Sequence, residues 1–338
     1  MQSASSGRLE AWKDVLAGAV AGCASRFVVA PLDVLKIRFQ LQNEQIVRQV
    51  WGQGPMSDSG KRYTGVAQAV RRIVQEEGWT ALYKGNVPAL AMVVPYAAVQ
   101  FGTFYQLRQW WNRLQQAEVN DVQRYMGPTA SVVSGALAGL LATVVVYPLD
   151  LLRTRLAVQG EPRLYSGLRQ AVRMIWENEG LRGFYAGLEP TLVEIVPYVA
   201  LQFYFYERLR FFRARQVIER QTGPRSIRSE HEAVGSTESF FIGALTGTAS
   251  KWCTLPLDNA RKRMQVQSLL GHQHVYRNTL DCCRKILKAE GVGGLFRGAV
   301  PSLLKAAPAS GVAFFVYELM KRQWLAPQRE VAARTSAL

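Results

Sequence analysis

Six stretches of about twenty mostly apolar residues recur along the chain, separated by shorter amphipathic and polar segments. Three of them, rich in Gly and Ala, run into a Pro-Leu-Asp; the first is "AGAVAGCASRFVVAPLD", ending at Asp33, and the others end at Asp150 and Asp258. The remaining three are "GNVPALAMVVPYAAVQFGTFY", "GLEPTLVEIVPYVALQFYFY" and "GAVPSLLKAAPASGVAFFVY". At 1.5 Å per residue, about twenty helical residues match the 30 Å hydrocarbon thickness of a bilayer, so six membrane-crossing helices are predicted. Most of these stretches carry a charge or a proline, which helices around a polar cavity tolerate and lipid-facing ones do not. Small-residue pairs such as Gly18 and Gly22 suit close contact between helices. Between the two spans of each set lies an amphipathic segment. In the first, Val66, Ala69, Val70, Ile73 and Val74 fall on one helical face, with Arg71, Arg72, Glu76 and Glu77 opposite. A helix of that kind lies along a membrane surface.

The pattern is an internal repeat, which fixes architecture before any other feature. "PLDVLKIRFQ", "PLDLLRTRLA" and "PLDNARKRMQ" each place a base five residues after the proline and another seven after it. Gly22, Gly139 and Gly247 each stand nine residues ahead of Pro31, Pro148 and Pro256. The expected units are residues 10–117, 125–217 and 236–326, and the fold class is an all-α membrane protein with three pseudo-symmetric pairs of spans and three short surface helices. The first unit is longer: Pro31 to Glu77 is 46 residues, against 31 and 34 for the equivalent intervals. The excess is polar and Gly-rich and reads as a loop over residues 43–62.

Composition changes this picture little. Mean hydropathy is near zero, so the membrane signal lies in the local pattern alone. The net charge of +16 is spread over loops and repeated motifs without a basic block, which argues for an anionic lipid surface and against nucleic acid. The start, "MQSASSGRLEAWKD", is polar and mixed in charge, so targeting is expected to be internal. Four cysteines, with Cys282 and Cys283 adjacent, form neither a metal motif nor a disulfide framework, and His272 and His274 lack companion ligands. There is no Gly-rich phosphate loop, nucleophile elbow or His-Glu-x-x-His. A transporter without metal or cofactor, and not an enzyme, is the expectation.

Each Pro-x-Asp-x-x-(Lys/Arg)-x-Arg is followed by an acid-Gly pair (Glu77-Gly78, Glu179-Gly180, Glu290-Gly291) and an aromatic-x-Gly (Tyr83 to Gly85, Tyr185 to Gly187, Phe296 to Gly298). In these motifs, over about residues 10 to 325, the chain resembles the mitochondrial carrier family. The resemblance implies a monomeric, multi-pass protein of the inner mitochondrial membrane, with anionic lipid (cardiolipin) around it, both termini towards the intermembrane space, and alternating access to a central site. It implies a matrix gate in which Asp33, Asp150 and Asp258 meet Lys36, Arg153 and Arg261 of neighbouring repeats, beneath proline-kinked helices. Gln40 and Gln265 match the family's bracing glutamines; the second repeat has Ala157 there. A cytoplasmic gate would draw on Tyr105, Arg108, Glu207, Arg210, Glu318 and Lys321, in which two acids and three bases allow two bridges.

The family's substrate positions fall here on Met92, Glu194 and Lys305, three residues before Pro95, Pro197 and Pro308, with Tyr96 and Ile195 nearby. On the partner helices, five residues before the motif prolines, stand Arg26, Thr143 and Lys251. Arg26, Lys251 and Lys305 suit phosphates. Glu194 suits a cargo that also carries a cation or a donor edge; the other reading is that it neutralises Lys305 or Arg26 in the empty cavity. Within the family the resemblance points to thiamine pyrophosphate as cargo, exchanged for thiamine monophosphate or nucleotides. A carrier of coenzyme A or an adenine nucleotide is the nearer alternative, and a non-transporting membrane adaptor the more distant one.

Overall fold

The computed structural model describes residues 2–44, 47–48, 51, 62–116, 128–161, 163–220, 236–267, 269, 275–305 and 308–320, so most of the 43–62 loop lies outside it. Among the described residues there are helices and no strands. Each repeat is a long helix, a surface helix and a second long helix. The first long helices are α1 (Gln2–Leu41), α5 (Pro128–Val158) and α8 (Ser236–Val266), which contain Pro31, Pro148 and Pro256. The surface helices are α2 (Val66–Glu77), α6 (Leu168–Gly183) and α9 (Thr279–Leu295). The second long helices are α3 (Asn86–Ala91) running into α4 (Val93–Gln116), then α7 (Leu188–Arg220), then α10 (Ala299–Leu304) followed by α11 (residues 308–320).

Among the described residues, four segments are both long and apolar enough to cross a bilayer: Leu16–Leu41, Trp79–Arg113, Val133–Val158 and Ala299–Met320. Helices α7 and α8 have the length, at 33 and 31 residues, but not the hydropathy. Glu189 and Glu194 on α7, and Lys251, Asp258, Arg261 and Lys262 on α8, account for the shortfall. The interruptions in the second long helices follow from proline chemistry, because a proline cannot donate to the carbonyl four residues before it. Helix α3 ends at Ala91, four residues before Pro95, and α10 ends at Leu304, four before Pro308. Met92 and Lys305 stand directly after these breaks, whereas α7 continues through Pro197.

The surface helices bury one face each, through Ala69 and Ile73, Ala171 and Ile175, and Cys282 and Ile286. The first two repeats share one apolar core at the end of the bundle where the proline motifs gather. It contains Leu35, Leu41, Leu82, Leu151, Leu156 and Ile175 among others, joined from the third repeat by Val266 and Leu269. The third repeat keeps a separate small cluster of Ala260, Met264, Tyr276, Cys282 and Ile286. Trp51, a buried residue of the long first-repeat loop, ties the shared core together: its indole N–H donates to the Val158 carbonyl at 2.6 Å. A Cβ at Gly160 would lie 2.7 Å from the same ring.

The aromatic-x-Gly motifs seat one repeat on the next. Gly85 and Gly298 have φ of +80° and +75°, a left-handed conformation that side chains resist. Space also forbids a side chain there: a Cβ would lie 2.5 Å from the Arg153 carbonyl oxygen at Gly85, and 2.8 Å from Gln40 Cγ at Gly298.

Candidate functional site

Three helices arriving at one end with the sequence Pro-Leu-Asp bring three acids and three bases to a common level. Lys36 Nζ lies 2.7 Å from Asp258 Oδ2, and Arg261 Nη2 lies 2.6 Å from Asp150 Oδ2. Arg153 bonds Asp33. Each pair joins two repeats, and together they close a ring. All three acids are buried. Gln40 donates to Asp258 at 2.9 Å, and Gln265 donates to Asp150 at 3.0 Å and to the Tyr147 hydroxyl at 3.2 Å. The bridge of Arg153 to Asp33 has Ala157 in place of such a glutamine.

Every ring acid also has a second cation. Asp33 accepts from Lys305 at 2.9 Å, Asp258 lies 3.5 Å from Lys251, and Asp150 lies 3.7 Å from Lys262. Lys262 escaped the sequence reading. Its signal was a third motif that reads Arg-Lys-Arg where the others read Lys-Ile-Arg and Arg-Thr-Arg. It is fixed by donating to Thr154 Oγ1 at 2.9 Å and to Gln265 Oε1 at 2.8 Å.

Above the ring lies a cavity of about 790 Å³. Arg26, Met92, Tyr96, Thr143, Ile195, Lys251 and Lys305 all line it. Glu194 does not. Its side chain is buried beside the floor, 2.6 Å from Lys251 and 3.2 Å from Arg261. It therefore neutralises cations other than the two named in the sequence reading, Lys305 and Arg26. Arg26 has no ion pair among the described residues. Seven cationic side chains line the cavity, counting the ring bases. Against them stand Asp33, Asp150, Asp258 and the adjoining Glu194, which leaves a formal surplus of three positive charges.

The second base of each motif has a different partner. Arg38, Arg155 and Arg263 bind Glu77, Glu179 and Glu290, the acids of the acid-Gly pairs, at 2.7, 2.8 and 2.6 Å. These pairs clamp each surface helix to the long helix before it. The same arginines reach across repeats: Arg38 donates to the Gln159 carbonyl at 2.9 Å and Arg155 to the Gln265 carbonyl at 3.3 Å. At the third junction Arg263 instead meets the Glu44 carboxylate at 2.8 Å, which also accepts from the Tyr276 hydroxyl at 2.8 Å.

At the opposite end, Tyr105, Arg108, Glu207 and Glu318 are exposed, and no ion pair joins Arg108 to Glu207 or Glu318 among the described residues. Lys321 and the side chain of Arg210 lie outside the described residues. The ring thus closes the floor of the cavity.

Comparison with known proteins gives concordant results. Residues 7–115, 125–216 and 232–327 each match the mitochondrial carrier protein family. A relative from Arabidopsis thaliana, mitochondrial thiamine diphosphate carrier 1, is 42% identical over 90% of this chain and 92% of its own. The human mitochondrial thiamine pyrophosphate carrier is 40% identical over 90% and 89%. Mitochondrial thiamine pyrophosphate carrier 1 of Neurospora crassa is 41% identical over 93% and 94%.

Proposed function

The chain belongs to the mitochondrial carrier family, a multi-pass transporter of the inner mitochondrial membrane and not an enzyme, and from that premise we propose that its cargo is thiamine pyrophosphate. The names of the relatives support this cargo, and so does the cavity: a surplus of three positive charges suits a diphosphate group. The observation that carries the mechanism is the double neutralisation of the ring acids. Lys305 holds Asp33, and Lys251 lies beside Asp258 and Glu194. A diphosphate arriving at Arg26 competes for both lysines. As they turn to the phosphates, Asp33 and Asp258 lose one of their two counter-charges, and the ring weakens where the matrix gate must open. Binding energy for the cargo is thereby converted into a shift between the matrix-closed and matrix-open states. The glutamine braces and the ring pairs set how far the resting carrier favours closure.

Exchange proceeds with thiamine monophosphate or nucleotides, which present phosphates to the same cations. The test is uptake of labelled thiamine pyrophosphate into proteoliposomes loaded with each candidate counter-substrate, beside coenzyme A and adenine nucleotides as rival cargoes. A thermal-unfolding screen of the purified carrier should show the largest stabilisation with the true cargo. Uptake of coenzyme A or ADP without thiamine pyrophosphate would overturn the assignment.

A further inference from the structure

The chemistry that recognises a cargo's ring is missing from the floor of the cavity. The charged groups there are cations or neutralised acids, the Thr143 hydroxyl donates to its own helix at Gly139, and Glu194, the one acid expected to face a cargo, is held under Lys251 and Arg261. Higher up the same helices, a second set of side chains faces the cavity. Tyr96 and Tyr198 follow Pro95 and Pro197 directly, and Gln100 and Gln202 stand five residues after those prolines; all four line the cavity. None of the four side chains has a hydrogen-bond partner among the described residues.

Their positions form a ladder. Glu194, Tyr198 and Gln202 are spaced by four residues, so each step is one turn, or about 6 Å along the axis of α7. Tyr198 belongs to the lower step: Lys251 Nζ lies 6.0 Å from its ring centroid, where the cation meets the π-face. Tyr96 reaches the seam between α4 and α5, since a Cβ at Gly139 would lie 3.9 Å from its hydroxyl. Gln202 reaches the seam between α7 and α8, where a Cβ at Gly247 would lie 4.0 Å from its Nε2. In the third repeat the matching positions are Ala309 and Ala313. Two walls therefore carry aromatic and amide groups, and the third is small enough to leave room between them.

We infer that Gln100 and Gln202, with Tyr96 and Tyr198 flanking the slot below them, are the specificity-determining residues that read the heteroaromatic end of the cargo, while its diphosphate faces the cations beneath. The inference rests on the functional reading above and fixes the orientation of the cargo within it. A glutamine amide presents a donor beside an acceptor, the complement of a ring amino group beside a ring nitrogen. The aminopyrimidine of thiamine pyrophosphate carries that pair, as does adenine. Tyrosine faces suit the positively charged thiazolium as well as flat apolar rings. Charge at the floor thus selects phosphates of any kind, and the upper step selects among the groups attached to them.

The test compares three labelled cargoes in proteoliposomes: thiamine pyrophosphate, the diphosphate of its thiazole half, which lacks the pyrimidine, and inorganic pyrophosphate. The variant is Gln100→Leu with Gln202→Leu, close in volume and without hydrogen bonds. Uptake of thiamine pyrophosphate should fall at least about tenfold further than uptake of either smaller diphosphate, because a site built for hydrogen bonds discriminates against the unpaired partner. Equal losses for all three, or no loss, would overturn the inference while leaving the carrier assignment standing. A wild-type protein that moves neither thiamine pyrophosphate nor ADP would overturn the functional reading and the inference together. Unfolding temperature without ligand should match wild type; if the double variant does not reconstitute, Gln202→Ser alone carries the same comparison.

Discussion

Replacing Lys305 by alanine separates the carrier's scaffold from its site. Lys305 Nζ lies 2.9 Å from Asp33 Oδ1, and about a third of the side chain is exposed, at 32%. Asp33 keeps Arg153 after the substitution, so no buried carboxylate is stranded. The stability cost should then be that of a partly solvated ion pair, about 0–1 kcal/mol, rather than the 3–5 kcal/mol or so of an orphaned buried charge. The loss at the cargo is larger. A charge-assisted hydrogen bond to phosphate is worth about 1.5–3 kcal/mol, which corresponds to a fall of about 10- to 150-fold in affinity. Two measurements read these terms separately: thermal unfolding in detergent without cargo, and uptake of thiamine pyrophosphate into proteoliposomes. The expected outcome is an unfolding transition close to wild type with uptake lost at low cargo concentration. Wild-type uptake would refute the proposed site. A variant that no longer unfolds cooperatively would refute the claim that Asp33 remains neutralised by Arg153 alone.

Glu194→Gln should alter uptake of thiamine pyrophosphate and inorganic pyrophosphate in parallel, because the carboxylate contacts Lys251 and Arg261 and does not line the cavity; a selective loss of the thiamine ester would show that it reads the pyrimidine after all. Gly298→Ala, which forces a left-handed residue and brings a Cβ to 2.8 Å from Gln40 Cγ, should cost about 2 kcal/mol or more. Gly18→Ala, with nothing within 4 Å, should stay within about 0.5 kcal/mol of wild type, and equal unfolding temperatures for the two would contradict the seating role. Burial pushes the Glu77 carboxyl up, but its hydrogen bonds and attraction to Arg38, with Lys84 beside it, leave it below the ordinary glutamate value. Its contribution is therefore complete above about pH 4.3, the ordinary value, and is lost as pH falls towards the lowered one. Unfolding temperature measured from pH 7 to pH 3 should fall more steeply in that acid range for wild type than for Glu77→Gln; parallel curves would exclude the pair as a source of acid sensitivity.

Threefold copying made the ring pairing legible from sequence. One Asp and one Lys three residues apart mean little, but three such sets at equal spacing must converge when three like helices pack around an axis. The glutamines followed by the same logic, and Ala157 stood out as the departure. Side-chain reach was harder to read. Lys251 and Lys305 were expected to face a cargo, and both line the cavity; that each also touches a ring acid depends on a flexible four-carbon stem and on helix tilt, which spacing does not encode. Glu194 was legible as an acid among cations but not as a buried one, since choosing its partner requires knowing that α7 and α8 lie side by side. Lys262 was hidden by the repeat itself, because a position that is Ile37 and Thr154 in the other copies draws no notice. Helix α8, one of the two whose hydropathy falls short, donates Lys251, Asp258, Arg261 and Lys262 to the site, so composition understated the span that carries the most charge.

The shared apolar core has a consequence for the way the lower end can part. A ring of three equal bridges suggests an iris, with all three seams widening together. The seams are not equal. The first two repeats bury Leu35, Leu41, Leu151 and Leu156 in one continuous body, fastened by Trp51 on Val158, whereas among the described residues the third contributes Val266 and Leu269 to it. Separating the first repeat from the second would wet a row of leucines, each worth about 1.5–3 kcal/mol when fully buried; at this end the third repeat adds Val266 and Leu269 to that body and keeps Ala260, Met264, Tyr276, Cys282 and Ile286 in a cluster of its own. Apolar burial at the lower end is thus unevenly shared: a symmetric ring of charges sits on an asymmetric foundation.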